Sequence, residues 1–197
     1  TIHIHCGHHQ GNIKFAIIFM ENSAENIIRI SLRSKGSFDV NSFSKGLEKL
    51  GFTVFQSHIS RIVIDLNREI TEIDPKTIAG FPANNMINLS DKVKSGIGLI
   101  PMKNSSGRNI YTTKLDWQEV CQRIDNYYLP WHNNLRLEIQ DFTKRYGRAF
   151  VIDMHSMPSE THNSELADFV IGNNFDRASD NYSKKLLSNT IKSYGYS

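Results

Sequence analysis

Residues 150–154 have the apolar composition of a strand. Three polar side chains, those of Asp153, His155 and Ser156, lie at its end. The carboxyl ends of strands are where α/β proteins build their sites. A neutral imidazole such as that of His155 can ligate zinc there, with Asp153 on the same side of the strand orienting the ring and Ser156 as further support. A hydrogen-bonded structural histidine at a capped strand end has the same pattern.

A second apolar run, residues 62–64, is followed by Asp65, Asn67 and Arg68. Its continuous apolar character predicts a strand that is covered on both faces. The planar guanidinium of Arg68 can bind a carboxylate through two hydrogen bonds, and the amide of Asn67 adds further donors. These residues predict an anion-binding site, although a structural ion pair of Arg68 with Asp65 or Glu69 fits them equally well.

The composition excludes several classes of protein. A chain of 197 residues with 39% apolar and 22% charged residues is typical of one soluble globular domain. The net charge of +3 is too small to indicate a nucleic-acid partner, and the longest apolar run is too short to span a membrane. Cys6 and Cys121 are too few for a disulfide framework, so we expect a reducing cytoplasm. Nothing in the sequence indicates an oligomeric state.

Strand and helix patterns alternate along the chain, which predicts an α/β fold. The predicted strands are 2–5, 15–20, 27–32, 52–55, 61–66, 150–154 and 168–171. The predicted helices are 40–50, a helix from Asp116 that Pro130 breaks or kinks, a segment ending at Gly147, and 182–194. Between them, residues 67–114 are polar and rich in glycine and proline, which predicts a long loop; a loop of this length is either functional or a poor assignment.

Five short motifs follow one another along the chain from about residue 51 onward. They are Ser60-Arg61 with Ile64-Asp65-Leu66-Asn67-Arg68, Gly98-Leu99-Ile100-Pro101 with Gly107 and Ile110-Tyr111, Trp131-His132-Asn133-Asn134-Leu135, Asp153-Met154-His155-Ser156-Met157-Pro158, and Asp168-Phe169-Val170-Ile171-Gly172-Asn173. Each motif alone is weak, but together and in this order they resemble the N-formylglutamate amidohydrolase family.

The resemblance implies a three-layer α/β/α fold with a mixed central sheet, of the phosphorylase/hydrolase-like type found in zinc carboxypeptidases. It also implies zinc-dependent hydrolysis of the amide bond of N-formyl-L-glutamate, or of a related N-acyl amino acid, to glutamate and formate. This reaction ends a route of histidine degradation. The expected partner is a small dicarboxylate substrate, with no nucleic acid and no membrane.

The resemblance also implies which residues hold the zinc ion. His155 matches one ligand of the family site. His5 lies in a motif similar to the one with which family members begin, and it is the best further candidate among the N-terminal histidines. The third ligand is expected to be acidic and to precede the first family helix, which makes Asp39 the candidate, with Glu21 and Glu25 as alternatives.

Four residues are candidates for substrate binding. Asn67 and Arg68 match the dipeptide that holds a substrate carboxylate in the carboxypeptidase relatives, and Arg61 is a second candidate for binding an anion. His132 lies in a family motif, where it either contacts substrate or orients its helix.

The sequence departs from the family in two places. Residues 11–35 show no clear resemblance, and the chain ends at Ser197, before the late strand whose glutamate is the general base in the carboxypeptidases. We therefore expect one domain, residues 1–197, truncated at its C-terminus, with its catalytic residue unassigned. The alternatives are an inactive family member that serves as a binding or vestigial domain, and a peptidase-like enzyme that acts on larger substrates.

Overall fold

The computed structural model describes residues 2–4, 14–18, 26–33, 52–57, 59–104, 106–147, 149–157, 169–172 and 181–195. The chain forms two compact units, one of residues 1–57 with 135–197 and the other of residues 58–134. No helix in these described ranges is long and apolar enough to cross a membrane.

The described strands, in chain order, are β1 (Ile2–Ile4), β2 (Lys14–Ile18), β3 (Asn26–Arg33), β4 (Thr53–Gln56), β5 (Ile78–Ala79), β6 (Leu115–Asp116), β7 (Phe150–Met157) and β8 (Phe169–Gly172). The described α-helices are α1 (Asp91–Lys94), α2 (Trp117–Arg123), α3 (Leu129–Tyr146) and α4 (Asn181–Ser193). A 3₁₀ turn spans Pro75–Thr77, and a π-helical turn, Ile124–Tyr128, joins α2 to α3.

The first unit contains a mixed sheet whose described strands run in the order β4-β2-β1-β7-β3-β8. Strand β7 is parallel to β1 and β3, whereas β2, β4 and β8 pair antiparallel with their neighbours. Val151 and Ile152 of β7 are buried, as expected for an apolar strand inside a sheet. Mixed helix and strand content and a mixed sheet are thus confirmed, and every predicted strand except 61–66 overlaps an observed one.

Helix α3 packs on this sheet through one apolar face. Its buried Phe142 contacts Ala149 and Val151, and the half-buried Leu135 and Ile139 pack against the same cluster. The spacing of these helical residues matches the predicted segment that ends at Gly147. The predicted C-terminal helix is confirmed as α4, whereas the predicted helix 40–50 lies outside the described residues.

The predicted strand 61–66 is wrong, because this segment is a turn. The amide of Val63 donates to the carbonyl of Ser60 (2.9 Å), and the side chain of Ile62 is 42% exposed. A short apolar run does not by itself distinguish a buried strand from another buried segment. Within residues 61–66 only Ile64, Asp65 and Leu66 are fully buried, and the buried residues do not alternate with exposed ones as in a half-buried strand.

Of the two outcomes predicted at Pro130, a break or a kink, the break does not occur, because the chain stays helical from α2 through α3. A proline inside a helix lacks an N–H, and its ring clashes with the carbonyl four residues earlier, here that of Asn126. The amide of Leu129 donates instead to the carbonyl of Ile124, five residues back, as in a π-helix. This wider turn lies immediately before Pro130 and accommodates its ring.

The predicted long loop, residues 67–114, belongs to the second unit and is held by backbone hydrogen bonds around Leu99. The carbonyl of Leu99 accepts from the amide of Asp65, and its amide donates to the carbonyl of Glu72, both at 2.7 Å. A Cβ atom on Gly98 would collide with that Glu72 carbonyl. The Gly-Leu-Ile-Pro motif therefore needs its glycine for close backbone approach, while Leu99 and Ile100 fill the core.

Candidate substrate-binding site

The centre of the candidate site is Asp65, whose side chain is only 1% exposed. Its Oδ2 accepts a hydrogen bond from the Arg61 guanidinium and lies 3.5 Å from Nε of Arg68. Its Oδ1 accepts from the backbone amide of Asn67 at 3.1 Å. One buried carboxylate thus orients two arginines and closes the turn between them. The ion pair of Arg68 is therefore with Asp65, and the alternative pairing with Glu69 does not form.

Asn67 and Arg68 keep donors available for a ligand. The Arg61 and Arg68 side chains remain 30% and 18% exposed, so solvent reaches both. In the described part of the chain, neither the Asn67 side-chain amide nor the terminal nitrogens of Arg68 have a hydrogen-bonding partner. A planar guanidinium beside a free amide is suited to binding a carboxylate.

Two side chains of one helix hold the backbone on both sides of Asn67. The Tyr128 hydroxyl donates to the carbonyl of Arg68, and Nε2 of His132 donates to the carbonyl of Leu66, each at 2.9 Å. Their rings contact one another with centroids 4.2 Å apart, as expected for residues four apart on a helix. We call Tyr128 and His132 the carbonyl clamp.

A second pair of side chains supports the beginning of the same turn. Nη1 of Arg123 donates to the carbonyl of Val63 at 2.8 Å and to the hydroxyl of Tyr111 at 2.9 Å. The Tyr111 hydroxyl donates in turn to the carbonyl of Ile62 at 3.2 Å. An ion pair with Glu119, one helical turn earlier, orients the Arg123 guanidinium.

The protonation states of the clamp suit its role as a donor. Burial lowers the pKa of His132, an effect that its hydrogen bond to the Leu66 carbonyl partly opposes. Because a carbonyl only accepts, the proton of the neutral ring lies on Nε2. Burial, and then the negative charge of Glu69, raise the pKa of Tyr128. Both rings are therefore uncharged donors near neutral pH.

The predicted zinc ligands lie mostly outside the described residues. His5 and Asp39, with the alternatives Glu21 and Glu25, fall in undescribed segments, and only the backbone of His155 is described. That backbone lies in β7, where the preceding residue, Met154, is the register partner of His3 in the parallel strand β1. Among the described side chains, no group of three histidine, cysteine, aspartate or glutamate residues is arranged to hold a metal ion.

The supporting residues predicted for the zinc ligands lie in the same strand. Asp153 is fully buried and lies two residues before His155 in β7. The backbone of Ser156 pairs with Leu32 of β3.

The sequence profile of the N-formylglutamate amidohydrolase family matches residues 31–197. The chain belongs to this family. The resemblance carried by the five motifs is thereby confirmed. A solved structure of an N-formylglutamate amidohydrolase from Ralstonia eutropha JMP134 is similar in fold, with a TM-score of 0.68 at 22% sequence identity. The match covers 93% of this chain and 75% of that one. A search of curated proteins found no match.

In this family member, three residues that support the site, Tyr111, Arg123 and Tyr128, are not among the predicted site residues. Tyr111 lies in one of the five motifs, whereas Tyr128 and Arg123 lie in none of them. The spacing of four residues between Tyr128 and His132 is the one signal that pairs a missed residue with a predicted one. The backbone partners of Arg123 and Tyr128 lie 60 residues earlier in the chain, and that of Tyr111 lies 49 residues earlier, which no local pattern shows.

Replacing Asp65 by asparagine should destabilise the fold. Asparagine keeps the shape but removes the charge that faces Arg61 and Arg68, so we expect a loss of about 2–3 kcal/mol in the free energy of unfolding. Asp91→Asn is the matched control, because Asp91 pairs with Lys94 in full exposure and should cost less than about 0.5 kcal/mol. Urea unfolding measures both, and equal losses in the two variants contradict a central role for Asp65.

His132→Gln should remove a pH dependence from stability. The folded-state pKa of His132 is lowered below 6.5, so below about pH 6.5 the unfolded chain binds a proton that the folded protein does not. The wild type should therefore lose stability as the pH falls from about 7.5 to 5. Glutamine keeps an Nε2 donor for the Leu66 carbonyl but does not titrate. The melting temperature of the wild type should fall relative to that of the variant as the pH is lowered from about 7.5 to 5, and a constant difference contradicts the prediction.

Proposed function

We propose that this protein hydrolyses the amide bond of N-formyl-L-glutamate, releasing glutamate and formate. Membership of the N-formylglutamate amidohydrolase family indicates a hydrolase. The observation that carries the choice of substrate is the pair of donors on one rigid turn, the Asn67 amide beside the Arg68 guanidinium. This pair is complementary in charge and shape to a carboxylate, which N-formyl-L-glutamate carries twice.

The two arginines divide the binding of a dicarboxylate between them. Arg68 and Asn67 bind one carboxylate through the donors that Asp65 leaves available. Arg61, which the same Asp65 orients and which is partly exposed, is positioned by the turn as a second cation. A substrate with a single negative charge uses only part of this set, so a dicarboxylate is bound in preference. His132 contributes by holding the Leu66 carbonyl, which fixes the turn.

The proposal extends to a three-layer α/β/α, carboxypeptidase-like arrangement and to a zinc ion. His155 and His5 would hold the metal, with Asp39 as the acidic ligand. The described backbone fits such a group, because β7 and β1 are parallel neighbours and His5 directly follows the last residue of β1. Asp153, which is buried, precedes His155 by two residues and is the candidate for orienting its ring. Bound zinc supplies Lewis acidity to the formyl carbonyl.

The cellular setting belongs to the same proposal. The reaction would stand at the end of histidine degradation, with a small molecule as the only required partner. The cysteine content favours a reducing cytoplasm, and Cys121 is a free, half-buried thiol.

The test of the proposed function is binding and hydrolysis of N-formyl-L-glutamate by the wild type and by Arg68→Ala. We expect Arg68→Ala to raise KM and Kd for this dicarboxylate at least tenfold, because a charge-assisted pair is lost. A neutral formamide should be affected less than about twofold. Arg145→Ala is the control, since Arg145 forms an exposed ion pair with Asp141 and lies over the rings of Phe142 and Tyr146, none of which is a predicted site residue. Equal effects on both compounds rule out the carboxylate assignment, and a wild type that neither binds nor hydrolyses N-formyl-L-glutamate rules out the function.

His155→Ala should abolish tight zinc binding. Removing one of three protein ligands leaves the site unable to complete its coordination. Zinc content after dialysis, measured by atomic spectroscopy, should fall from near one ion per chain to near zero. The control His9→Ala, which removes a histidine outside the predicted ligand set, should leave it unchanged. Zinc retained by His155→Ala shows that His155 is not a ligand.

A further inference from the structure

The Asn67–Arg68 dipeptide lies between two peptide groups that are each held at both ends. The first joins Leu66 to Asn67: its carbonyl accepts from His132 and its amide donates to Asp65. The second joins Arg68 to Glu69: its carbonyl accepts from Tyr128. Because a peptide group is planar, holding its carbonyl and its N–H fixes the plane.

The N–H of the second peptide group is held as well. The amide of Glu69 donates to Oε2 of the buried Glu72 at 3.0 Å. The amide of Arg68, between the two planes, donates to the backbone carbonyl of Asp65 at 3.1 Å. Three of these five hydrogen bonds involve Asp65 or His132, and a fourth involves Glu72. The fifth, on the Arg68 carbonyl, comes from Tyr128.

The π-helical turn explains how Tyr128 reaches that carbonyl. In this turn the amide of Leu129 bonds to the carbonyl of Ile124, so residues five apart come to lie above one another. Arg123 and Tyr128 are five apart, and both donate to the segment of residues 62–68. In a regular α-helix they would lie on different sides, since neighbours there are three or four apart. π-Helical turns are frequent at functional sites.

We propose that Tyr128 is a positioning residue for the substrate carboxylate, acting through the backbone of Arg68. The inference rests on the proposed function, in which Arg68 and Asn67 bind that carboxylate. The Tyr128 hydroxyl fixes the Arg68–Glu69 peptide plane and thereby the direction in which the Arg68 side chain leaves the backbone. Without it, the guanidinium keeps its charge but loses its alignment with the ligand. The hydroxyl stays protonated, and so a donor, throughout the pH range of an enzyme assay.

The test compares Tyr128→Phe with Tyr127→Phe. Both changes remove one hydroxyl from the same π-helical turn. Tyr127 is 37% exposed, and no hydrogen bond of its side chain occurs within the described ranges, so it is a matched control. We expect Tyr128→Phe to raise KM and Kd for N-formyl-L-glutamate about tenfold while kcat changes less than about twofold. Tyr127→Phe should leave all three within about twofold of the wild type.

A double-mutant cycle separates positioning from a general loss of stability. If Tyr128 acts through Arg68, adding Tyr128→Phe to Arg68→Ala should weaken binding less than about twofold further. A further tenfold loss in that background overturns the proposal, because Tyr128 would then act independently of Arg68. If Tyr128→Phe is unfolded at 10 °C, Tyr128→Met takes its place in the cycle. This variant lacks the same hydroxyl and has a flexible apolar side chain.

The outcomes distinguish this proposal from the proposed function. A wild type that does not bind N-formyl-L-glutamate overturns the proposed function and, with it, the role of Tyr128. If the wild type binds N-formyl-L-glutamate and the two variants, Tyr128→Phe and Tyr127→Phe, bind it equally well, only the positioning role is overturned. Faster hydrogen exchange at the amide of Glu69 in Tyr128→Phe than in Tyr127→Phe is the expected structural signature, and equal exchange contradicts it.

Discussion

Burying the carboxylate of Asp65 places the strongest constraint on the second unit. Removing such a charge from water costs several kcal/mol, which only close partners can offset. Asp65 has three such partners: the guanidiniums of Arg61 and Arg68, and the amide of Asn67. In the observed turn of residues 61–68, the Arg61 guanidinium and the Asn67 amide hydrogen-bond the carboxylate, and Nε of Arg68 forms an ion pair with it at 3.5 Å. The arginines are thus held close to one another by the charge between them, although they would repel each other alone.

The turn leaves backbone carbonyls that a strand would have paired with its neighbours. Buried carbonyls need partners, and here four side chains from elsewhere in the second unit supply them. The pairs, donor first, are Tyr111 with Ile62, Arg123 with Val63, His132 with Leu66, and Tyr128 with Arg68. Three of these donors come from the continuous helix 117–146. The π-helical turn therefore does more than accommodate Pro130, since it directs donors on both of its sides toward the turn.

The sequence predicted the first unit better than the second, for a physical reason. The strands of the sheet, such as β3 and β7, are runs of β-branched and apolar residues whose partners are similar runs, so local pattern and tertiary structure agree. In residues 61–66 the same local pattern occurs, but Asp65 and the side-chain donors determine the conformation. The motifs nevertheless indicated Asn67, Arg68 and His132 as site residues. Tyr128 could not be inferred, because its role depends on a contact with a residue 60 positions earlier.

The sequence left two interpretations of Arg68 open, a structural ion pair and an anion-binding site. The observed geometry is compatible with both at once. A guanidinium has five N–H donors in a rigid fork, and Asp65 lies at only one edge of that of Arg68, 3.5 Å from Nε. The opposite edge carries the terminal nitrogens, which is the edge that binds a carboxylate bidentately. Pairing with Asp65 thus lowers the freedom of Arg68 without consuming the donors a ligand needs. Part of the entropy that a flexible arginine would lose on binding is already lost on folding, which favours the ligand.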